Sequence, residues 1–244
     1  MRQVLWFSAA LCLATPLPAA GGGDAVPAGD HAAAAASVDA KQLSAVVDNP
    51  WVALASRKRA IYAGAEIDAE TGEKVAVRMQ AVVRDKPERV AGTNVTVVEV
   101  SDFDNGELVE KTLDYYAQDA KGVVYYMGEH VSDYEDGKVV GHGGQWIAGE
   151  KGAKAGVFMP ADPKVGDVFE QEQAPGVAED RSKVVARVGS ITVPAGTFED
   201  CIEVEDYDPI GKKTQRKIYC RGVGLVREAF GDGGKIDLIE LEKR

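Results

Sequence analysis

From residue 57 to the C-terminus, apolar and polar side chains alternate with a period of two, in short runs cut by turn residues. Residues 58–67 and 74–84 are two such runs, joined by "DAETGE" with Gly72. Residues 93–103, 108–119, 123–134 and 138–148 follow, connected by "NG", "AKG" and "DG". Those dipeptides tolerate the positive φ that tight hairpins need. Two longer loops, "MPADPKVGD" and "PGVAEDR", flank a run near 166–173. Then come 182–193, 197–207, 213–220, 223–230 and 235–242. The pattern predicts about eleven antiparallel strands with almost no helix between them. No unit repeats along the chain, which excludes propellers and solenoids. A flat open meander of this length would expose two edges, so the sheet has to curl. The expected fold is all-β: a curved antiparallel meander forming a closed or half-closed barrel, flanked or plugged by a short N-terminal helix.

The first twenty residues have the layout of a secretory signal: a basic "MRQ", an apolar "VLWFSAALCLA", then small residues for cleavage near Ala20 or after Ala25. The apolar run is too short to span a bilayer. Leu11 before Cys12 argues against a lipid-modified cysteine. Residues 21–48 read as a flexible leader containing His31, with helix formers over 32–47. Residues 49–244 read as one β domain. The mature chain is expected to be a periplasmic or secreted monomer. The formal charge is −11 at pH 7, one unit more negative once Arg2 is removed. Such a surface repels phosphate backbones and anionic membranes, so neither nucleic acid nor a membrane is an expected partner.

Two cysteines remain after export, Cys201 and Cys220. "FEDCIEVEDYDPIGKKTQRKIYC" reads as a hairpin whose loop at 209–212 pairs Asp208 with Lys213. Counting back along both strands sets Cys201 opposite Cys220, within reach of a disulfide. Two free buried thiols or a reactive pair are the alternatives. There is no Cys-x-x-Cys spacing and no nearby histidine to favour the reactive pair.

"ITVPAGTFEDCIEVE" followed by "IYCRGVGLVRE" resembles a motif pair of uncharacterised exported bacterial β-sheet proteins: a "VPAGTF" turn, a cysteine-bearing strand, then a Y-x-x-GVG-x-V strand. "DNGELVEKTLDYYAQD", "YYMGE" and "QAPGVAED" are similar to further segments of such proteins. The resemblance covers about residues 95 to 230. It implies a curved sheet similar to a lipoprotein-carrier half barrel and implies no chemistry. Cys220 stands where an alanine is more usual in that family.

The turns also predict which side chains share a face. "DAKGV" as a three-residue loop with Gly122 left-handed pairs Ala117 with Tyr125, Tyr115 with Met127, Leu113 with Glu129 and Lys111 with Val131. "EDGK" as a two-residue turn pairs Met127 with Trp146, Glu129 with Gly144 and Val131 with His142. The resulting patch is apolar, with Lys111, Glu129 and His142 set into it, and is expected to look inward. The other pleat, with Glu110, Thr112, Asp114, Tyr116, Gln118 and Tyr126, is expected to face water. Lys111, Tyr115, Tyr125, Glu129, His142 and Trp146 are therefore the candidate ligand-binding residues: aromatic walls with a few orienting polar groups.

No nucleophile stands beside the Glu129–His142 pair in sequence, so no catalytic residue is assigned. "DFDNGELVE" puts Gly106 one place early for a calcium loop, and "NVT" at 94–96 lies within a strand. No dinucleotide, phosphate-loop or zinc-hydrolase signature occurs, so no cofactor and no metal is expected. The favoured reading is a noncatalytic, exported binder of a small apolar or amphipathic molecule. The alternatives are an envelope structural or protein-interaction module, and an enzyme with a Glu129–His142 acid–base centre.

Overall fold

The computed structural model describes residues 42–68, 71–231 and 233–244. The expected signal segment 1–20, His31 and the expected helix as far as residue 41 lie outside the described residues. Sixteen strands follow among the described ones: β1 Leu43–Ser44, β2 Arg57–Ile67, β3 Lys74–Val83, β4 Glu88–Val90, β5 Thr93–Asp104, β6 Glu107–Asp119, β7 Val124–Glu135, β8 Lys138–Gly141, β9 Trp146–Ile147, β10 Gly156–Met159, β11 Val168–Glu170, β12 Arg181–Val193, β13 Gly196–Asp208, β14 Lys213–Cys220, β15 Gly224–Phe230 and β16 Lys235–Lys243. The all-β class agrees with the alternation. The strand count exceeds the expected one because β1, β4 and β10 come from segments not read as strands, and because the run 138–148 breaks into β8 and β9.

The strands form one antiparallel sheet in the order β10-β7-β6-β5-β3-β2-β16-β15-β14-β13-β12-β11. Around this path, neighbours in space are almost always neighbours in sequence. The exceptions are β3–β5, which skips the short β4, β7–β10 at one end of the path, and β2–β16, which joins the two ends of the β domain. The path is open, so the barrel is not closed. Its ends β10 and β11 nevertheless approach each other: Lys154 N–H donates to Gln173 O at 2.9 Å, an isolated antiparallel bridge. Gly156 makes this approach possible, because a Cβ there would run into the Gln171 carbonyl.

The segment before β2 crosses one end of the curved sheet. It is irregular rather than helical, apart from a 3-10 turn at Leu54–Ser56. Asn49 anchors it: its amide Nδ2 donates to Gly122 O (2.8 Å) and Pro160 O (3.0 Å), and its Oδ1 accepts from Trp51 N–H (2.8 Å). Its own N–H donates to Gln118 Oε1 (2.8 Å). Trp51 is fully buried between Arg187 and Arg221, whose guanidinium carbons stand 5.3 and 5.0 Å from the ring centroid. The bland N-terminal sequence thus yields a plug held by one asparagine and one tryptophan.

Cys201 and Cys220 are directly opposite in the β13–β14 ladder and form a disulfide, with Cα atoms 4.0 Å apart. Both are fully buried. The hairpin register counted from "PIGK" is the observed one along its whole length.

Candidate functional site

The β6–β7 register departs from the expected one, and the departure decides which residues face inward. Next to the turn, the pairs are as counted: Gln118 with Val124, Ala117 with Tyr125 and Tyr116 with Tyr126. Beyond them β7 carries one extra residue. Asp114 pairs with Glu129, Leu113 with His130, Thr112 with Val131 and Lys111 with Ser132. This is a β-bulge at Met127–Gly128, and Gly128 has φ 120°. The expected pairs Tyr115–Met127, Leu113–Glu129 and Lys111–Val131 do not form. The β7–β9 pairing also shifts, setting Glu129 opposite Trp146 instead of Gly144.

The two pleats of β6 are also the other way round. Glu110, Thr112, Asp114, Tyr116 and Gln118 are buried, and Thr112, Asp114 and Tyr116 line an interior cavity. The opposite pleat packs beneath an outer layer. Tyr115 lies against the segment 88–91, the segment 147–150 and the His130 ring, whose centroid is 5.6 Å away. Alternation marks two faces, but which one is interior depends on what covers the other.

The six candidate residues are therefore not gathered in one place. Glu129 lines the cavity and accepts from Tyr126 Oη at 3.1 Å. Trp146 is buried next to it, edge-on to Tyr126 with centroids 5.6 Å apart. Lys111 pairs with Glu99 at 2.7 Å on the outer pleat. Tyr115 is buried under the outer layer. Tyr125, half-buried, reaches Asp119 Oδ2 at 3.3 Å. His142 is exposed, with Nδ1 2.5 Å from the Val131 carbonyl. The Glu129–Gly144 pairing that would have made Glu129 and His142 diagonal neighbours is absent.

The cavity measures about 190 Å³. Its apolar wall comes from Tyr62, Met79, Val98, Tyr116, Tyr126, Phe158 and Tyr219, with Val52 and Leu54 of the plug at one end. Stacked Tyr116 and Tyr126 (centroids 5.1 Å) and the edge-on Phe158 (4.9 Å from Tyr116) form an aromatic corner. Asp180, Asp208 and the exposed Lys213 also line the cavity.

The polar lining is the part that the sequence reading missed. Asp114 Oδ1 accepts from Thr112 Oγ1 at 2.6 Å. Burial nevertheless pushes its carboxyl up to about 6, an effect partly offset by the hydroxyls of Thr112, Tyr126 and Tyr116. Burial, with Glu228 and Asp114 nearby, holds Asp102 well above the usual carboxylate range. Burial and the adjacent Asp102 push Glu110 up to about 10. Lys217, almost fully buried, pairs with Asp206 at 2.8 Å and stands 3.9 Å from Glu228. Burial alone would lower Lys217; the two carboxylates outweigh it and raise it well above the ordinary lysine value. Ser182 Oγ donates to Asp206 Oδ1 at 2.6 Å.

A signal for these groups does exist in the sequence. Val98-Val100-Asp102 and Val226-Glu228-Phe230 each insert an acid into an otherwise apolar pleat. The "PIGK" register places Lys217 opposite Val204. A charge that continues a run of apolar i±2 residues, or stands opposite an apolar residue across the ladder, is a candidate for the interior pleat.

No family model matches the sequence, and no curated protein matches it. Among solved structures, the chain is similar to a protein inferred to be exported, with a YmcC-like fold, from Bacteroides fragilis NCTC 9343. The identity is 13% and the TM-score 0.42, over 77% of this chain and 96% of that one. It is also similar to a protein inferred to be a lipoprotein from Parabacteroides distasonis ATCC 8503. Here the identity is 13% and the TM-score 0.41, over 80% of this chain and 99% of that one. At these scores neither likeness bears on this chain's chemistry.

Proposed function

We propose that this chain is an exported, noncatalytic binding protein, periplasmic or secreted, which holds a small amphipathic molecule inside its curved sheet. The observation that carries this reading is the cavity itself: about 190 Å³, lined by aromatic rings together with buried polar groups. That mixture suits a ligand with an apolar body and one polar end. The signal-like N-terminus and the disulfide support export, since a buried disulfide persists in an oxidising compartment. Of the candidate residues named from sequence, Glu129 and the adjacent Trp146 belong to this reading. Lys111, Tyr115, Tyr125 and His142 do not line the cavity and have no part in it.

Native mass spectrometry of protein purified from its own host tests the proposal. A small molecule should accompany the wild type and be absent from Ala81→Phe, which places a ring in the cavity from β3. An equal complement of small molecules on the wild type and a folded Ala81→Phe, or none on either, overturns it.

A further inference from the structure

The cavity wall carries more acid than a pocket for an apolar molecule requires. Five lining acids are at least nine-tenths buried: Asp102, Asp114, Glu129, Glu172 and Asp206. The buried cations on the same wall are Arg57 and Lys217. Lys217 is committed to Asp206 and to Glu228 behind it, and Arg57 sits beside the Tyr62 hydroxyl. Asp102 is the informative group. It is 1% exposed, it lines the cavity, and neither of its carboxyl oxygens has a hydrogen-bond partner among the described residues. Its neighbour across the β5–β6 ladder is Glu110, another acid, so the protein does not supply its counter-charge there.

A buried carboxyl without a partner is costly in any fold. A ligand that donates hydrogen bonds and carries positive charge removes that cost. An anion would add to it, and a purely apolar molecule would leave it in place. The Tyr116, Tyr126 and Phe158 rings add a second preference of the same sign, because aromatic faces attract cations. A bare metal ion fits less well: among the described residues, no three His, Cys, Asp or Glu side chains are placed to share one.

We infer that the cavity selects an organic cation, a protonated amine on a short aromatic or aliphatic frame, with Asp102 as its counter-ion. The inference rests on the ligand-holding reading above and narrows it to a chemical class.

Calorimetry on the intact mature chain with three matched sets of probes tests it. Phenethylamine, tryptamine and decylamine are each compared with the alcohol and the carboxylate of the same frame. At least one amine should bind about tenfold more tightly than its alcohol, with the carboxylate weakest. Asp102→Asn should bring that preference down to about twofold. This variant keeps the shape of the side chain, and Asp114→Asn serves as a second reporter on the same wall. If alcohols bind as tightly as amines in all three sets, the cation inference fails and the binding role survives. A preference for amines that both Asn variants retain overturns the assignment of the counter-ion. If no probe of any class binds, both readings fail.

Discussion

Glu228 offers the sharpest test of the interior chemistry. It is fully buried, faces Lys217 at 3.9 Å, and has no hydrogen-bond partner for either oxygen among the described residues. Burial pushes its carboxyl from 4.5 up to about 7; Lys217 works against the rise and Asp206 adds to it. The sign follows from linkage. Below about pH 4 the group is protonated in both the folded and the unfolded chain and has no effect on stability. Between about pH 4.5 and 7 the unfolded chain releases the proton while the fold keeps it, so stability falls as pH rises. Above 7 both states are ionised and the penalty stays constant. At about 1.4 kcal/mol per pH unit, the gap amounts to about 3 kcal/mol. Glu228→Gln removes the titration and keeps the shape. Urea unfolding with the disulfide intact, followed by circular dichroism, should show the variant within about 1 kcal/mol of the wild type at pH 4. At pH 8 it should be the more stable by about 3 kcal/mol. Asp114 and Asp180, raised to about 6 and about 7 mainly by burial, tilt the wild type in the same direction. A stability difference between variant and wild type that is the same at pH 4 and pH 8 would refute the claim that Glu228 is a neutral acid in the fold.

Other perturbations follow from the same geometry. Replacing both Cys201 and Cys220 by Ser opens a link spanning 19 residues and should cost about 3 kcal/mol in a urea melt, matching the wild type measured with reductant. Gly128→Ala forces a Cβ against the Trp146 carbonyl and to 2.8 Å from Ile147 Cα, at a φ of 120°. It should lower stability by about 2 kcal/mol or more and weaken the near-ultraviolet signal of Trp146; an unchanged melt would remove the bulge from the account. Asn49→Ala deletes three side-chain hydrogen bonds that hold the plug, so it should cost about 2–3 kcal/mol and accelerate amide exchange at Trp51 more than at Ile202.

Local chemistry made several features legible before any coordinates. Asn105-Gly106 and Asp136-Gly137 adopt positive φ at the turns where "NG" and "DG" stand, since short polar and glycine residues reach that region at little cost. The "PIGK" loop counted correctly to the disulfide because no bulge interrupts β13–β14. The β6–β7 count failed a few residues from its turn, because Gly128 in "YYMGEH" admits an extra residue on one strand. Nothing in a period-two pattern announces such an insertion except the glycine itself. Met159 and its neighbours in "GVFMP" read as loop because an edge strand of four residues is too short for its alternation to be seen.

Sequence alone determined that this chain builds an antiparallel β meander, where most of its turns fall, and which two cysteines meet. Those properties depend on backbone preferences and on residues close in the chain. Only the tertiary structure decided which pleat of β6 is interior, because that depends on the segments that cover the other pleat, far away in sequence. It also decided that the carboxyls of Asp102 and Asp114 share one cavity with Lys217, with Glu228 behind that lysine. The strands that carry them, β5, β6, β14 and β15, are brought face to face only when the sheet curls and the two ends of the domain pair through β2 and β16.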